Sequence, residues 1–406
     1  MRVGVLGGGL QGCCAALALA ERGAEITLFD KNDALLSRAA VANEGKIHLG
    51  YMYAGDPTLS TAKIMMAGAL SFAPFLERYL GQPAHSFSVS VPATYVVHRD
   101  SQQSAEDVFA YLRTVHALIN EAAEGRNQAY FGRNLQAALR RWSAAEKESE
   151  FDPAIALAAF STPEIAINPS ALAQSLQECI ASHPLIEVRC SRTIVGAEQE
   201  RTKILVLSNG KDGPSQDRFD HVVNALWDGR LALNEALGFR ANRPWLHRLK
   251  YGVSFRLPRD VRPPPSATFV LGAFGEVVTY GDGLIYLTWY PECLQAICTD
   301  VTPPDWTTYP AEPLRSRILV GTFRALSAIV PSLRDLNIEG LPEACVKGGA
   351  IVAWGKTDIY DPASELHRRF EIGVTSEGQF HSVDPGKLTM APYFAEICAA
   401  RISPAD

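Results

Sequence analysis

The chain has no excess of positive charge. Its 38 Lys and Arg stand against 44 Asp and Glu, a formal net charge of -6 over 406 residues. A phosphate backbone is held by clustered cations, so no nucleic acid partner is expected, and an anionic substrate would need a local basic site. Long apolar runs are also missing. The stretch 13–20 falls well short of the ~18–20 residues that cross a bilayer, so no transmembrane segment is expected. The glycines before that stretch and the strand-like segment after it argue against a secretory leader. None of the eight cysteines is spaced C-x-x-C, which removes the zinc and thioredoxin-like patterns. Scattered thiols in a chain of this size fit small buried residues in a reducing compartment, and a cytoplasmic location is expected. A G-x-S-x-G elbow, an H-E-x-x-H pair and a P-loop are all absent, and no metal site is expected. Without repeats, low-complexity tracts or a linker, the domains are expected to interleave along the chain.

What is present is an ordinary globular composition, 47% hydrophobic and 20% charged, with α/β patterning. Residues 2–6 read as a buried strand, 10–22 as an apolar helix and 25–29 as a second strand, a β-α-β unit. Helical periodicity recurs at 58–80, 105–122, 135–149, 169–182, 313–329 and 387–402, with Asn168 as an N-cap ahead of Pro169. Strands are expected at 87–97, 186–190, 193–199, 203–208 and 221–225, and a hairpin at 370–380. The segments 248–256, 267–271, 276–280 and 284–290 are short, aromatic-rich and divided by Gly and Pro. They suggest an antiparallel sheet that forms a second, substrate-binding α+β domain.

Gly7-Gly8-Gly9-Leu10-Gln11-Gly12 matches G-x-G-x-x-G between the first strand and the helix. Gly7 suits the tight turn, Gly9 the close approach of a pyrophosphate, and Gly12 the packing of helix on strand. The amides from Leu10 and Gln11 onward offer an anion free N–H groups and a positive helix end. Asp30, at the end of the second strand, can accept two hydrogen bonds from a ribose diol and would repel a 2′-phosphate. This unit alone leaves NAD and FAD open, since both present ADP.

Four further segments resemble the D-amino acid oxidase superfamily of FAD-dependent oxidoreductases. The loop Arg38-Ala39-Ala40-Val41-Ala42-Asn43-Glu44-Gly45-Lys46-Ile47-His48-Leu49-Gly50-Tyr51 is similar to the superfamily loop that runs beside the isoalloxazine ring. Glu164-Ile165-Ala166-Ile167-Asn168-Pro169 resembles its E-x-x-[apolar]-[Asp/Asn]-P element. Asp220-His221-Val222-Val223-Asn224-Ala225-Leu226-Trp227 is similar to its D-x-V-V-N-A strand, with Leu226 where a Gly often stands. Gly386-Lys387-Leu388-Thr389 resembles the helix start of the glycerol-3-phosphate dehydrogenase and 2-hydroxyglutarate dehydrogenase branch. The resemblance implies FAD as cofactor and a Rossmann-like FAD-binding domain assembled from 1–85, 150–240 and 346–406, leaving 86–149 and 241–345 to the substrate domain. It implies cofactor contacts at Lys31, Arg38, Asn43, Gly45, Lys46, Ile47, His48, Ile194, Val195, Asn224, Ala225, Trp227, Gly386, Lys387, Leu388 and Thr389. Lys387 at a helix start would aim a cation at the flavin pyrimidine edge, where negative charge develops on reduction.

The implied activity is hydride transfer to flavin N5 from a C–H next to an amine or hydroxyl of a small amine, amino acid or hydroxy acid, with the electron acceptor unassigned. His48 is the first candidate for the acid–base group. Tyr51, Tyr53, Tyr280, Tyr286, Trp289 and Tyr290 are candidates for an aromatic pocket wall. Arg256 and Lys347 are the cations placed to meet a substrate carboxylate. The rival readings are an NAD-dependent dehydrogenase and a non-catalytic FAD-binding protein.

Overall fold

The structure, a computed structural model, describes residues 1–125, 129–137 and 139–403. Two large sheets organise it. The first has six strands in the order Gly373–Glu377, Phe380–Asp384, His221–Asn224, Arg2–Leu6, Glu25–Phe29 and Ile186–Arg189. All neighbours run parallel except the hairpin at the Gly373–Glu377 edge. A parallel sheet is covered on both faces, and Arg2–Leu6 and Glu25–Phe29 accordingly bury every residue but the first.

The helix Leu10–Glu21 lies on one face of this sheet and is buried from Leu10 through Ala20. Its small residues on every side, Cys13, Cys14, Ala15, Ala16, Ala18 and Ala20, admit the last helix, Ala391–Ile402, against its outer side. The other face is covered by a three-stranded antiparallel sheet, Arg192–Gln199, Ile204–Gly210 and Gly213–Phe219. There Ile204, Val206 and Phe219 pack on Leu6, Phe29 and Val222.

The second large sheet has nine strands. Its spine is the long strand Trp245–Arg256, which pairs with Leu284–Trp289, Leu294–Cys298 and Cys345–Trp354. Beyond Leu284–Trp289 follow Gly275–Thr279, Ala267–Val270, Thr94–His98, Ala156–Ser161 and Arg140–Arg141. Side chains alternate across a strand, so each row belongs to one face. Leu249, Tyr251, Val253 and Phe255 enter a core with Ile318, Leu326 and Ile329 of the helix Leu314–Ile329. Arg248, Lys250 and Ser254 therefore face the other way. Register carries that face across the sheet: Ser254 opposes Tyr286, Tyr286 opposes Val278, and Glu276, Thr268 and Tyr95 lie opposite one another on successive strands. This is the face turned toward the loop at residues 43–50.

Several expectations change. The helix expected at 135–149 shrinks to Ala144–Glu150, whose start is set by a Ser143–Glu146 capping box; Ala138 lies outside the described residues. Arg140 and Arg141 pair as strand. The strand expected at 87–97 is confined to Thr94–His98, because Pro92 has no amide to give a ladder. Gly213–Phe219, Leu294–Cys298 and Cys345–Trp354 are strands that the sequence pattern did not reveal. Ala156–Ser161 and Cys345–Trp354 pair in the large sheet, so the domain limits drawn at 150 and 346 cut through it. The final helix begins at Ala391, behind a 3-10 turn at Leu388–Met390. The eight cysteines are free thiols. Among the described residues no helix is long and apolar enough to cross a membrane, and no metal-ligating cluster is present.

Candidate active site

The first strand ends at the glycine turn, where the order of the parallel strands places a crevice at their carboxyl ends. Gly7 holds φ +104, and a Cβ there would meet Ala225 O at 2.5 Å; one on Gly12 would meet Gly7 O at 1.8 Å. A Cβ on Gly9 meets nothing within 4 Å, so the turn opens onto free space at this residue. The first helical bond is Cys13 N–H to Gly9 O, which leaves the Leu10, Gln11 and Gly12 amides ahead of the hydrogen-bonded turns. Gln11 adds a buried side-chain amide with no partner on either atom among the described residues. An orphaned amide beside an open helix start fits a pyrophosphate.

Asp30 sits beside this turn. Its Oδ2 accepts the Gly8 N–H at 2.8 Å, and its Oδ1 accepts the backbone and side-chain N–H of Asn32 at 2.8 and 2.7 Å. Three of about four acceptor positions are thus used, so Asp30 has room for one ribose hydroxyl and not the two expected. Next to it opens a cleft of about 450 Å³ lined by Lys31, Asn32, Arg38, Thr193 and Asp305–Thr308. Asp305 pairs with Lys31 at 2.8 Å, and Arg38 reaches Asp228 at 3.4 Å and Trp306 O at 3.2 Å. Thr193 lines this cleft, whereas Val195 turns to solvent and Ile194 packs on the small sheet.

The two motifs farthest apart in sequence meet at Thr389. Its Oγ1 accepts the His48 N–H at 2.9 Å and donates to Lys46 O at 3.1 Å. Asn43 shapes the incoming loop: Oδ1 accepts the Gly45 N–H at 2.7 Å, and Nδ2 donates to Ala39 and Ala40 carbonyls. Gly45 is required at φ +69, where a Cβ would strike Ile167 O at 1.9 Å. Ile47 pairs with Ile165, and its carbonyl accepts the Tyr130 hydroxyl. From the other end, Gly386 at φ +60 donates to Asp384 and accepts from Arg369 at 3.0 Å, and Leu388 is half-buried.

Around this junction lies a cluster of charges. Lys46 is buried against Glu276 and Thr268; burial works against its ammonium, but Glu276 and Glu164 more than compensate and raise its pKa. Arg248, buried, donates to Tyr290 at 2.8 Å and to Asp358 Oδ1 at 2.9 Å, leaving its Nε and Asp358 Oδ2 without partners. Lys250 lies over the Tyr290 ring at 4.8 Å. Arg369 is buried, its side chain bonds only to the carbonyls of Leu366 and Gly386 among the described residues, and burial lowers its pKa. Burial, then Arg369, brings the Lys387 ammonium down to about 7. Burial alone would raise Glu44, but Lys387, Lys250, Lys46 and His48 hold it down at about 2. With Lys46 and Arg248 paired, three cations remain: Lys250, Lys387 and Arg369. Lys250 and Lys387 stand by Glu44 and Arg369 stands by Lys387, with Glu164 behind His48. With Lys387 protonated the cluster is positive.

His48 is buried, burial lowers its pKa against the pull of Glu164, and neither ring nitrogen has a hydrogen-bond partner among the described residues. Tyr53 packs edge-on against it at 5.7 Å with its hydroxyl unpartnered, and His367 follows at 6.3 Å from Tyr53.

Three expected assignments change on this geometry. The Tyr51 hydroxyl is taken by His116 Nδ1 at 2.7 Å, so Tyr53 presents the free hydroxyl beside His48. Arg256 stands half-exposed, engaged by Glu343 at 3.2 Å and Asp282 O at 2.8 Å, away from the cluster of Lys46, Arg248, Lys250, Arg369 and Lys387. Lys347 reaches Ser170 at 3.4 Å. Tyr286 does lie on the inward face, its hydroxyl over Gly252. Asn224 is fully buried and spends its amide on Arg230 O and Asn234, and its Oδ1 takes the Leu226 N–H at 3.2 Å, so that amide is not free. Ala225 backs the glycine turn, and Trp227, at φ +56, is held by its indole N–H on Ala350 O at 2.7 Å.

The sequence profile of the FAD dependent oxidoreductase family matches residues 2–396. The chain belongs to this family, within the D-amino acid oxidase superfamily. Its cofactor is therefore FAD and its activity that of an FAD-dependent oxidoreductase, which excludes the NAD-dependent and non-catalytic readings. Solved structures with the same fold include glycine oxidase from Geobacillus kaustophilus, at 14% identity and TM-score 0.67, covering 100% of this chain and 95% of that one. L-alpha-glycerophosphate oxidase from Mycoplasma pneumoniae, with FAD bound, is similar at 18% identity and TM-score 0.66, covering 100% and 95%. L-proline dehydrogenase from P. horikoshii follows at 14% identity and TM-score 0.67, covering 99% and 93%. The open helix start, the unpartnered Gln11 and the positive cluster fit this cofactor.

Proposed function

We propose that the enzyme dehydrogenates a small anionic substrate at a C–H next to an amine or hydroxyl. FAD, when bound, supplies the acceptor of the hydride. The glycine-turn amides and Gln11 hold its pyrophosphate, Asp30 a ribose hydroxyl, and the cleft of Lys31, Arg38 and Thr193 its adenosine end. The loop Lys46–His48 and the turn Lys387–Thr389 hold its flavin end, where Lys387 meets developing negative charge. Arg369, with Arg248 beside it, receives the carboxylate or phosphate of the substrate and orients the reacting carbon. His48, kept neutral by burial, takes the proton of the amine or hydroxyl.

The observation that carries this reading is Arg369: a buried guanidinium with no carboxylate partner among the described residues, next to Lys387, where the two terminal motifs meet. An isolated buried charge is costly unless a ligand compensates it. By their names, the similar structures act on glycine, L-α-glycerophosphate and L-proline, each of which bears an acidic group, and this supports an anionic substrate. An anaerobic screen of the FAD-loaded enzyme against amino acids, N-methyl amines, hydroxy acids and phosphorylated alcohols tests it. Bleaching of the flavin by acidic members only is expected; bleaching by neutral amines or alcohols alone would refute it. Admitting oxygen afterwards reports the acceptor.

A further inference from the structure

Glu164 is fully buried, and its part in the charge cluster is to help hold Lys46 protonated. Its Oε2 accepts the Leu49 N–H at 2.7 Å, and its Oε1 accepts the Tyr95 hydroxyl at 2.5 Å. His48 Nδ1 stands 3.6 Å from the same Oε1, just beyond hydrogen-bond length. The main chain on this side is fixed, since the His48 and Leu49 amides are held by Thr389 and Glu164. Tyr95 projects from the large sheet in register with Thr268, which holds Lys46. One carboxylate oxygen thus faces two donors, and both are anchored.

We propose that Glu164 is the positioning residue of His48 and that Tyr95, by competing for Oε1, sets how basic the imidazole is. This rests on the reading of His48 as the proton acceptor. A carboxylate at Nδ1 selects the tautomer with the proton on that nitrogen and leaves Nε2 as the base. The Tyr95 hydroxyl, in a short charge-assisted bond, draws on the charge of Oε1 and keeps the carboxylate off the ring. The other groups facing His48 are Lys387 from the carboxyl-terminal turn, Lys46 and Glu44 from its own segment, and the ring of Tyr53. The two lysines favour the neutral ring and the two glutamates the protonated one. Among these charges Glu164 is held in a fixed direction, 3.6 Å from Nδ1, by Leu49 and Tyr95.

The two side chains give opposite signs, which a passive packing role does not. The pKa of His48 is read by NMR of histidine-labelled, FAD-loaded enzyme, its signal assigned by absence in His48→Gln. Glu164→Gln keeps an acceptor for Leu49 but removes the charge, and should lower the His48 pKa by about one unit or more. Tyr95→Phe keeps the charge and frees Oε1 for the imidazole, and should raise it. Shifts of the same sign, or none in folded FAD-loaded variants, would overturn the proposal. The pH dependence of flavin reduction separates this from the function proposed above. If the pKa moves in opposite directions as stated while the kinetic limb stays fixed, Glu164 positions His48 but His48 is not the proton acceptor.

Discussion

Lys387 ties the chemistry to pH. Its ordinary pKa of 10.5 is brought down to about 7, by burial first and then by Arg369. In the folded protein without a bound anion it is largely neutral above that value, whereas the unfolded chain keeps it charged up to its ordinary pKa. The unfolded state therefore binds more protons between the two values, and stability of the anion-free protein should rise with pH across that window. An anion beside Lys387 reverses the preference and restores the charge. Binding of a substrate-like carboxylate, read from the perturbation of flavin absorbance, should be flat below about pH 7 and weaken by up to about tenfold per pH unit above it. Affinity that holds constant to pH 9 would show that the charge of Lys387 is not coupled to the anion on its neighbour Arg369. Arg369→Gln leaves the carbonyl contacts partly replaceable but removes the charge. It should weaken the same carboxylate about a hundredfold or more, with flavin content unchanged.

At the scale of elements, the site depends on a few close approaches between segments remote in sequence. The glycine turn packs so tightly that Gly12→Ala would place a methyl 1.8 Å from Gly7 O. Purified Gly12→Ala should retain little or no FAD, checked by its absorbance and by reconstitution with excess cofactor. Thr389 joins the loop and the last helix by one hydroxyl serving two backbone groups. Thr389→Val strands the His48 N–H and the Lys46 carbonyl, at a cost of about 1–3 kcal/mol for each buried group left unpaired. It should weaken FAD retention and lower the thermal midpoint, whereas Thr389→Ser should behave as wild type.

These elements also show what could be read in advance. The glycine turn was legible because the chemistry of a tight turn restricts the residue type at each position. The Asn43 loop and Gly386–Thr389 were legible as motifs, but their contact through Thr389 was not, since nothing in either segment names the other. Arg369 carried no signal: it lies in a turn-rich segment and looks like any surface arginine until the fold buries it. Arg248 and Lys250 were half legible, because alternation along Trp245–Arg256 assigns them to one face but not to the face that meets the flavin loop. Arg256, on the same strand, was misassigned because strand ends fray into solvent, and there Glu343 and Asp282 engage it.

At the scale of the molecule, the six-stranded sheet presents the carboxyl ends of its parallel strands to the crevice at the glycine turn, and the nine-stranded sheet turns one face of charged and aromatic residues onto the loop at residues 43–50. The six-stranded sheet takes strands from the beginning, middle and end of the chain and the nine-stranded sheet takes its strands from between them, so the candidate site exists only in the whole fold. The central claim is that the enclosed space is an FAD site built for an anion. The most direct measurement is the anaerobic rate of flavin reduction by the best substrate from the screen, set beside the same molecule with its acidic group converted to an amide or ester, in wild type and in Arg369→Gln. The account predicts rapid bleaching by the acid in wild type only, with the neutral form and the variant slowed to a similar extent. Equal rates for the acidic and neutral forms in wild type would contradict it.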